Sequence, residues 1–199
     1  FVQVFRYDDV KLDEELPVGR FRFQPGGYDT QKDKFEMFAS AEDYQQSMLG
    51  RICPEYKGKD LIGNTVDLQS FKGRVVMLAF WSSSCPPCIA FMPTLQKIAD
   101  EYARKPMTLM GVTPDSGPSL DKAKSIVTRM QIQYRHISDT DSSLFQAMRV
   151  SSTPTMILID KKGFIQSIRV GVGRGEDDVL RKQINRLLAG EQLVEPRLP

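Results

Sequence analysis

The apolar positions of the chain follow different rules on either side of residue 50. In FVQVFRYDDV (1–10) apolar and polar side chains alternate as in a half-buried strand, and GRFRFQPGG (19–27) repeats the alternation before a Pro-Gly-Gly break. SAEDYQQSMLG (40–50) offers Ser40 as an N-cap, acids in the first turn and Gly50 as a stop, which predicts a short helix. Residues 1–49 are therefore expected to form a small β-rich N-terminal extension of two strands and a short helix, with a separate main domain over 50–199. From Thr65 onward strands and helices take turns. RVVMLAFW (74–81) is a continuous apolar run between Gly73 and the Ser82–Ser84 cluster, as expected of a central strand buried on both faces.

A helix is predicted from Ile89 to about Ala103, with Phe91, Leu95, Ile98 and Tyr102 on one stripe. MTLMGVT (107–113) reads as a second buried strand, SLDKAKSIVTRM (119–130) as a helix opened by Ser119, and DSSLFQAMRV (141–150) as a shorter one. TMILID, a KKG turn and FIQSIRV predict a β-hairpin in which Gly163 supplies a positive φ. A last helix runs from about Glu176 to Ala189, acidic first and basic later, with Leu180, Ile184, Leu187 and Leu188 inward. The order β, α, β, α, α, β, β, α predicts an α/β fold: a mixed central sheet, parallel in part, with helices on both faces.

Composition narrows the function classes. With 41% hydrophobic and 26% charged residues in 199, the chain has ordinary globular composition. Its 27 basic and 25 acidic residues are interspersed, so no long-range field gathers nucleic acid or an anionic membrane surface. No apolar run reaches the length of a membrane span, and residues 1–20 lack the layout of a signal peptide. Because the chain opens on Phe1 without a Met, it reads as a processed or truncated piece, with any export signal or membrane attachment in a segment upstream. Three cysteines are too few for a disulfide scaffold.

Two of them, Cys85 and Cys88, stand where the buried strand ends and a helix begins. Positions i and i+3 of a helix lie about 5 to 6 Å apart, within reach of a disulfide. The pair can open and close without moving the fold. Cys85, at the positive end of the helix dipole, is the candidate attacking thiolate, and Cys88, one turn inside, the sheltered resolving thiol. Pro86 falls at the first helical position, which suits proline, and Pro87 at the second, where it has no N–H to offer Cys85. The missing donor is expected to leave Cys85 less acidic than in a strong oxidant and to bias the pair towards giving electrons.

The same spacing supplies half of many zinc sites, but there is no second CxxC, His136 is the single histidine and Cys53 stands apart, so no metal and no cofactor is expected. Cys53 reads as an inert, partly buried thiol, His136 as structural, and Met107, Met110, Met130 and Met148 as core filler rather than copper ligands.

FWSSSCPPC (80–88), Pro93 five residues further on and VSSTPTMILID (150–160) together resemble the thioredoxin fold, and PEYKGKDLIGNTVDLQSFKGRVVMLAFW (54–81) is similar to the run-in of TlpA/ResA-like thiol-disulfide oxidoreductases. The resemblance covers about residues 51–190. It implies a thioredoxin-like three-layer fold, a cis bond between Thr153 and Pro154 opposite the disulfide, and pairing of the Thr153 main chain with an extended substrate strand. It also implies Trp81 beside the site and a kink of the first helix at Pro93. Members usually work outside the cytoplasmic membrane as electron donors, for instance to apocytochrome cysteines. Periplasmic or membrane-anchored location, a protein substrate carrying a disulfide or dithiol, and an upstream thiol protein as electron donor follow by the same resemblance.

Three positions depart from that pattern. Ala79 stands where thioredoxins carry a buried Asp, Phe91 where many ResA-like proteins carry a Glu, and Ser84 where Trp is common before the first cysteine. Both usual proton acceptors for the resolving thiol are missing. Residues 1–49 faintly resemble the closing strands of LolA-like carrier domains; the plainer expectation is an arm that covers a sheet edge. The expected activity is reduction of protein disulfides through a mixed disulfide. The alternatives are a thiol peroxidase, for which Ser82 stands three residues before Cys85, and a non-enzymatic metallochaperone.

Overall fold

The computed structural model describes residues 45–197, so the two strands expected before residue 28 and the start of the helix expected from Ser40 lie outside the described residues. The described strands are β1 Lys57–Asp60, β2 Thr65–Asp67, β3 Val75–Phe80, β4 Met107–Thr113, β5 Arg135–Ser138, β6 Thr155–Ile159 and β7 Ile165–Val170. The helices are α1 Pro86–Glu101, α2 Pro118–Arg129, α3 Ser143–Ala147 and α4 Glu176–Leu188, with a 3-10 turn at Leu68–Phe71. The strands form one sheet in the order β2-β1-β5-β4-β3-β6-β7. β3, β4 and β5 run parallel; β6 and β7 close one side and β1 and β2 the other, antiparallel.

All six residues of β3 are buried because the sheet carries a core on each face. Val75, Met77 and Ala79 point to a core shared with Leu95 and Ile98 of α1, Ile126 of α2 and Leu180 and Ile184 of α4. Val76, Leu78 and Phe80 point to the other, with Leu144 of α3, Leu68 and Met48. Alternation by two on a strand thus serves two helical layers.

The structure corrects the reading in local detail. α1 begins at Pro86, three residues before Ile89, because Cys85 caps it and prolines are tolerated in a first turn. Its buried residues are Cys88, Met92, Leu95 and Ile98, continued by Tyr102, while Phe91 is only partly buried. α2 is capped by Gly117, with φ at +52°, and starts at Pro118; the Ser119 hydroxyl instead donates to Ser116 O at 2.8 Å. The β1–β2 hairpin adds strands to the expected order, and β5 carries His136 between them and β4.

The β6–β7 hairpin forms as expected, its turn held by Gly163 at φ +93° and by Asp160 Oδ1, which accepts from Lys162 N and Phe164 N. The start of β7 and the turn before it are paired by the first residues of the main domain. Gly50 N donates to Ile165 O at 2.7 Å, Ile165 N to Arg51 O at 2.9 Å and Cys53 N to Gly163 O at 2.7 Å. From the C-terminal side, Leu193 N and Val194 N donate to Gln166 Oε1. These bonds hold the first part of β7 from residues on both sides of it in the sequence.

Candidate redox site

The site is built where β3 stops. Trp81 N still donates to Val112 O at 2.9 Å, continuing the ladder one residue beyond the strand, and the chain then turns through Ser82–Ser84 into α1. Cys85 is the N-cap in extended conformation, Pro86 and Pro87 fill the first two helical positions, and Cys88 N donates to Cys85 Sγ at 3.3 Å. The two cysteines form a disulfide with their Cα atoms 5.3 Å apart. Both cysteines are buried, Cys85 at 8% exposure and Cys88 at 3%, so Cys85 is the less enclosed residue of the pair. Ser84, Pro86 and Pro87 are exposed around it.

The peptide bond between Thr153 and Pro154 is cis. Pro154 O accepts from Gly171 N at 2.8 Å, which ties this turn to the end of β7. Pro154, Trp81, Cys88, Ala79, Phe91 and Tyr134 line one narrow crevice behind the disulfide. Of the expected site residues Trp81, Cys88 and Pro154 meet there, Cys85 and Thr153 do not line it, and no carboxylate is among the residues that do. Pro93 lies inside α1 on its exposed side, where it removes one backbone donor without entering the crevice.

Two polar groups of the site are not apparent from the motif. Asp115, two residues past β4 and buried, accepts from Ser83 N at 2.7 Å, Ser83 Oγ at 2.9 Å and Thr113 Oγ1 at 2.5 Å. Its position after the C-terminal end of a parallel strand, where α/β folds gather functional groups, is the one signal the sequence carries for it. His136 Nδ1 accepts from Trp81 Nε1 at 3.1 Å, and its ring stacks on Tyr134 with centroids 4.6 Å apart. Burial holds the imidazole's pKa down at about 3, so the ring is neutral. Cys53 is buried, its thiol pushed up to about 12 by desolvation, which fits the inert role expected of it. Met107, Met110 and Met148 are core residues, and Met130 packs at the core's margin.

A disulfide closing the first turn of the helix that follows the central strand, with a cis proline in the same crevice, defines a thioredoxin-like thiol-disulfide oxidoreductase. Residues 49–168 match the AhpC/TSA family, and the chain belongs to it. It is 33% identical over 132 residues to the thioredoxin-like protein YneN of Bacillus subtilis, covering 61% of this chain and 71% of YneN. It is 28% identical over 144 residues to the thiol-disulfide oxidoreductase ResA of Bacillus thuringiensis, covering 72% of this chain and 75% of ResA. The crystal structure of the thioredoxin domain of a thiol-disulfide oxidoreductase from Bacteroides vulgatus superposes with a TM-score of 0.60 at 26% identity, covering 69% of this chain and 98% of that one.

Proposed function

We propose that the protein is a reductase of protein disulfides that works outside the cytoplasmic membrane. One observation carries the direction: Pro87 occupies the second position of α1, so Cys85 Sγ accepts from Cys88 N but from no amide at position 87. Each N–H donor to a thiolate stabilises the reduced form and makes a pair more oxidising; a lost donor pushes the other way.

In the reaction, the Cys85 thiolate attacks one sulfur of a substrate disulfide, forms a mixed disulfide and releases the first substrate thiolate. Cys88 then attacks Cys85 Sγ, closing the intramolecular disulfide and releasing the second substrate thiolate. Two electrons pass to the substrate, and the proton of Cys88 leaves with the departing thiolate or through solvent, since Ala79 and Phe91 offer no carboxylate. An upstream dithiol protein resets the pair. Kinship with ResA supports a periplasmic or membrane-anchored location. Among the described residues, no helix is long and apolar enough to cross a membrane, so any anchor would lie elsewhere in the protein.

The peroxidase alternative is less well supported, because the Ser82 hydroxyl is 3.1 Å from Ser84 Oγ, a neighbour outside the disulfide. The test is turnover of a protein disulfide such as insulin's, with dithiothreitol as reductant, beside consumption of hydrogen peroxide under the same conditions. Reduction of insulin without peroxide consumption supports the reading, and the reverse overturns it.

A further inference from the structure

The chain has one tryptophan and one histidine, and they are hydrogen-bonded to each other in the interior. Trp81 belongs to the segment leaving β3, His136 to β5, with β4 between them in the sheet. The contact crosses β4 at Gly111, the register partner of His136. A side chain there is excluded: a Cβ on Gly111 would lie 2.2 Å from His136 Nδ1. Tyr134 stacks on the imidazole and, with Trp81, also lines the crevice behind Cys88.

Accepting from the indole at Nδ1 leaves the proton of the neutral ring on Nε2. That Nε2 is buried and has no hydrogen-bond partner among the described residues. Burying an unpaired N–H costs stability, and an apolar side chain at 136 would fill the space without that cost. The acceptor for Trp81 is what the imidazole supplies in return. Trp81 is thereby tethered twice, its main chain by its backbone N to Val112 O and its ring by Nε1 to His136 on β5.

We infer that His136 is a positioning residue of the redox site: it fixes the Trp81 ring as a rigid wall of the crevice, which keeps Cys88 dry and aligned for its attack on the mixed disulfide. The role concerns the resolving step and holds for either direction of electron flow, so it stands apart from the reductase reading.

The two thiol steps can be timed separately. When the fully reduced protein meets one equivalent of 5,5′-dithiobis(2-nitrobenzoate), attack by Cys85 releases one thionitrobenzoate, and attack by Cys88 on the mixed disulfide releases the second. For His136→Leu we expect the first release at the wild-type rate and the second slowed about tenfold, the size expected of a modest misalignment. His136→Gln, whose amide oxygen can accept from the indole, should recover most of the loss. Trp81→Phe should slow the second release as much as His136→Leu, and the double variant no more than either. If His136→Leu does not fold, Trp81→Phe against wild type carries the test. An unchanged second release in these variants, or equal slowing of both releases, would overturn the inference. Failure to reduce insulin would sink the reductase reading and leave this result intact.

Discussion

The carboxylate of Asp115 accepts both the backbone amide and the hydroxyl of Ser83, at 2.7 and 2.9 Å. Ser83 stands two residues before Cys85, so one buried acid two residues past β4 pins the loop that presents the attacking sulfur. Replacing it strands an amide and two hydroxyls in a buried place. For Asp115→Ala we expect a loss of about 2 to 3 kcal/mol by urea denaturation, with slower alkylation of reduced Cys85 by iodoacetamide. A loss below about 0.5 kcal/mol, the size of an ordinary surface substitution, would mean that the loop is held by something else.

The division of labour between the cysteines follows from their burial, with Cys88 the more enclosed. Cys88→Ser should accumulate a stable mixed disulfide with a protein substrate, visible on a non-reducing gel and cleared by dithiothreitol. Cys85→Ser should form none. Equal trapping by both variants would contradict the assignment of attacker and resolver.

Restoring an amide to the second position of α1 should undo the bias towards electron donation. In Pro87→Ala the new N–H can reach Cys85 Sγ. A hydrogen bond to a charged group is worth about 1.5 to 3 kcal/mol, which for a two-electron couple raises the potential by about 30 to 60 mV. The Cys85 pKa should fall by about one unit or more with it. Potential and pKa both unchanged would remove the role given to Pro87.

His136 also makes stability depend on pH. Its folded pKa lies near 3, below the ordinary 6.5, because burial penalises the charged ring. The stabilisation is fully present above pH 6.5, and it is lost as the pH falls from there towards 3, while the unfolded chain takes up a proton that the folded one refuses. Between pH 7 and pH 5 the wild type should lose about 2 kcal/mol more than His136→Gln. Equal losses in the two proteins would place the imidazole in contact with solvent or with a negative charge.

Much of this was legible from residue pattern. The continuous apolar run at 75–80 announced a strand with two cores, and the cysteine spacing at a strand-to-helix junction announced a first-turn disulfide. The cis bond at Pro154 came from family resemblance, since nothing local in VSSTPTM dictates it. The β1–β2 hairpin was not foreseen: KGKD and TVD are short, and only the sheet they join at β5 makes strands of them. Ser119 has the residue type of a cap, but Gly117 and Pro118 start the helix two residues sooner. The pairs Ser83–Asp115 and Trp81–His136 were hidden for a different reason. Each joins residues more than thirty positions apart, and only the parallel order of β3, β4 and β5 brings them together.

The direction of electron flow is tested most directly by equilibrating the Cys85–Cys88 couple with a series of dithiothreitol redox buffers and reading its reduction potential from the fluorescence of Trp81. A value of about −250 mV or lower is expected of a reductase. A value near about −120 mV, that of a strong oxidant, would contradict the account.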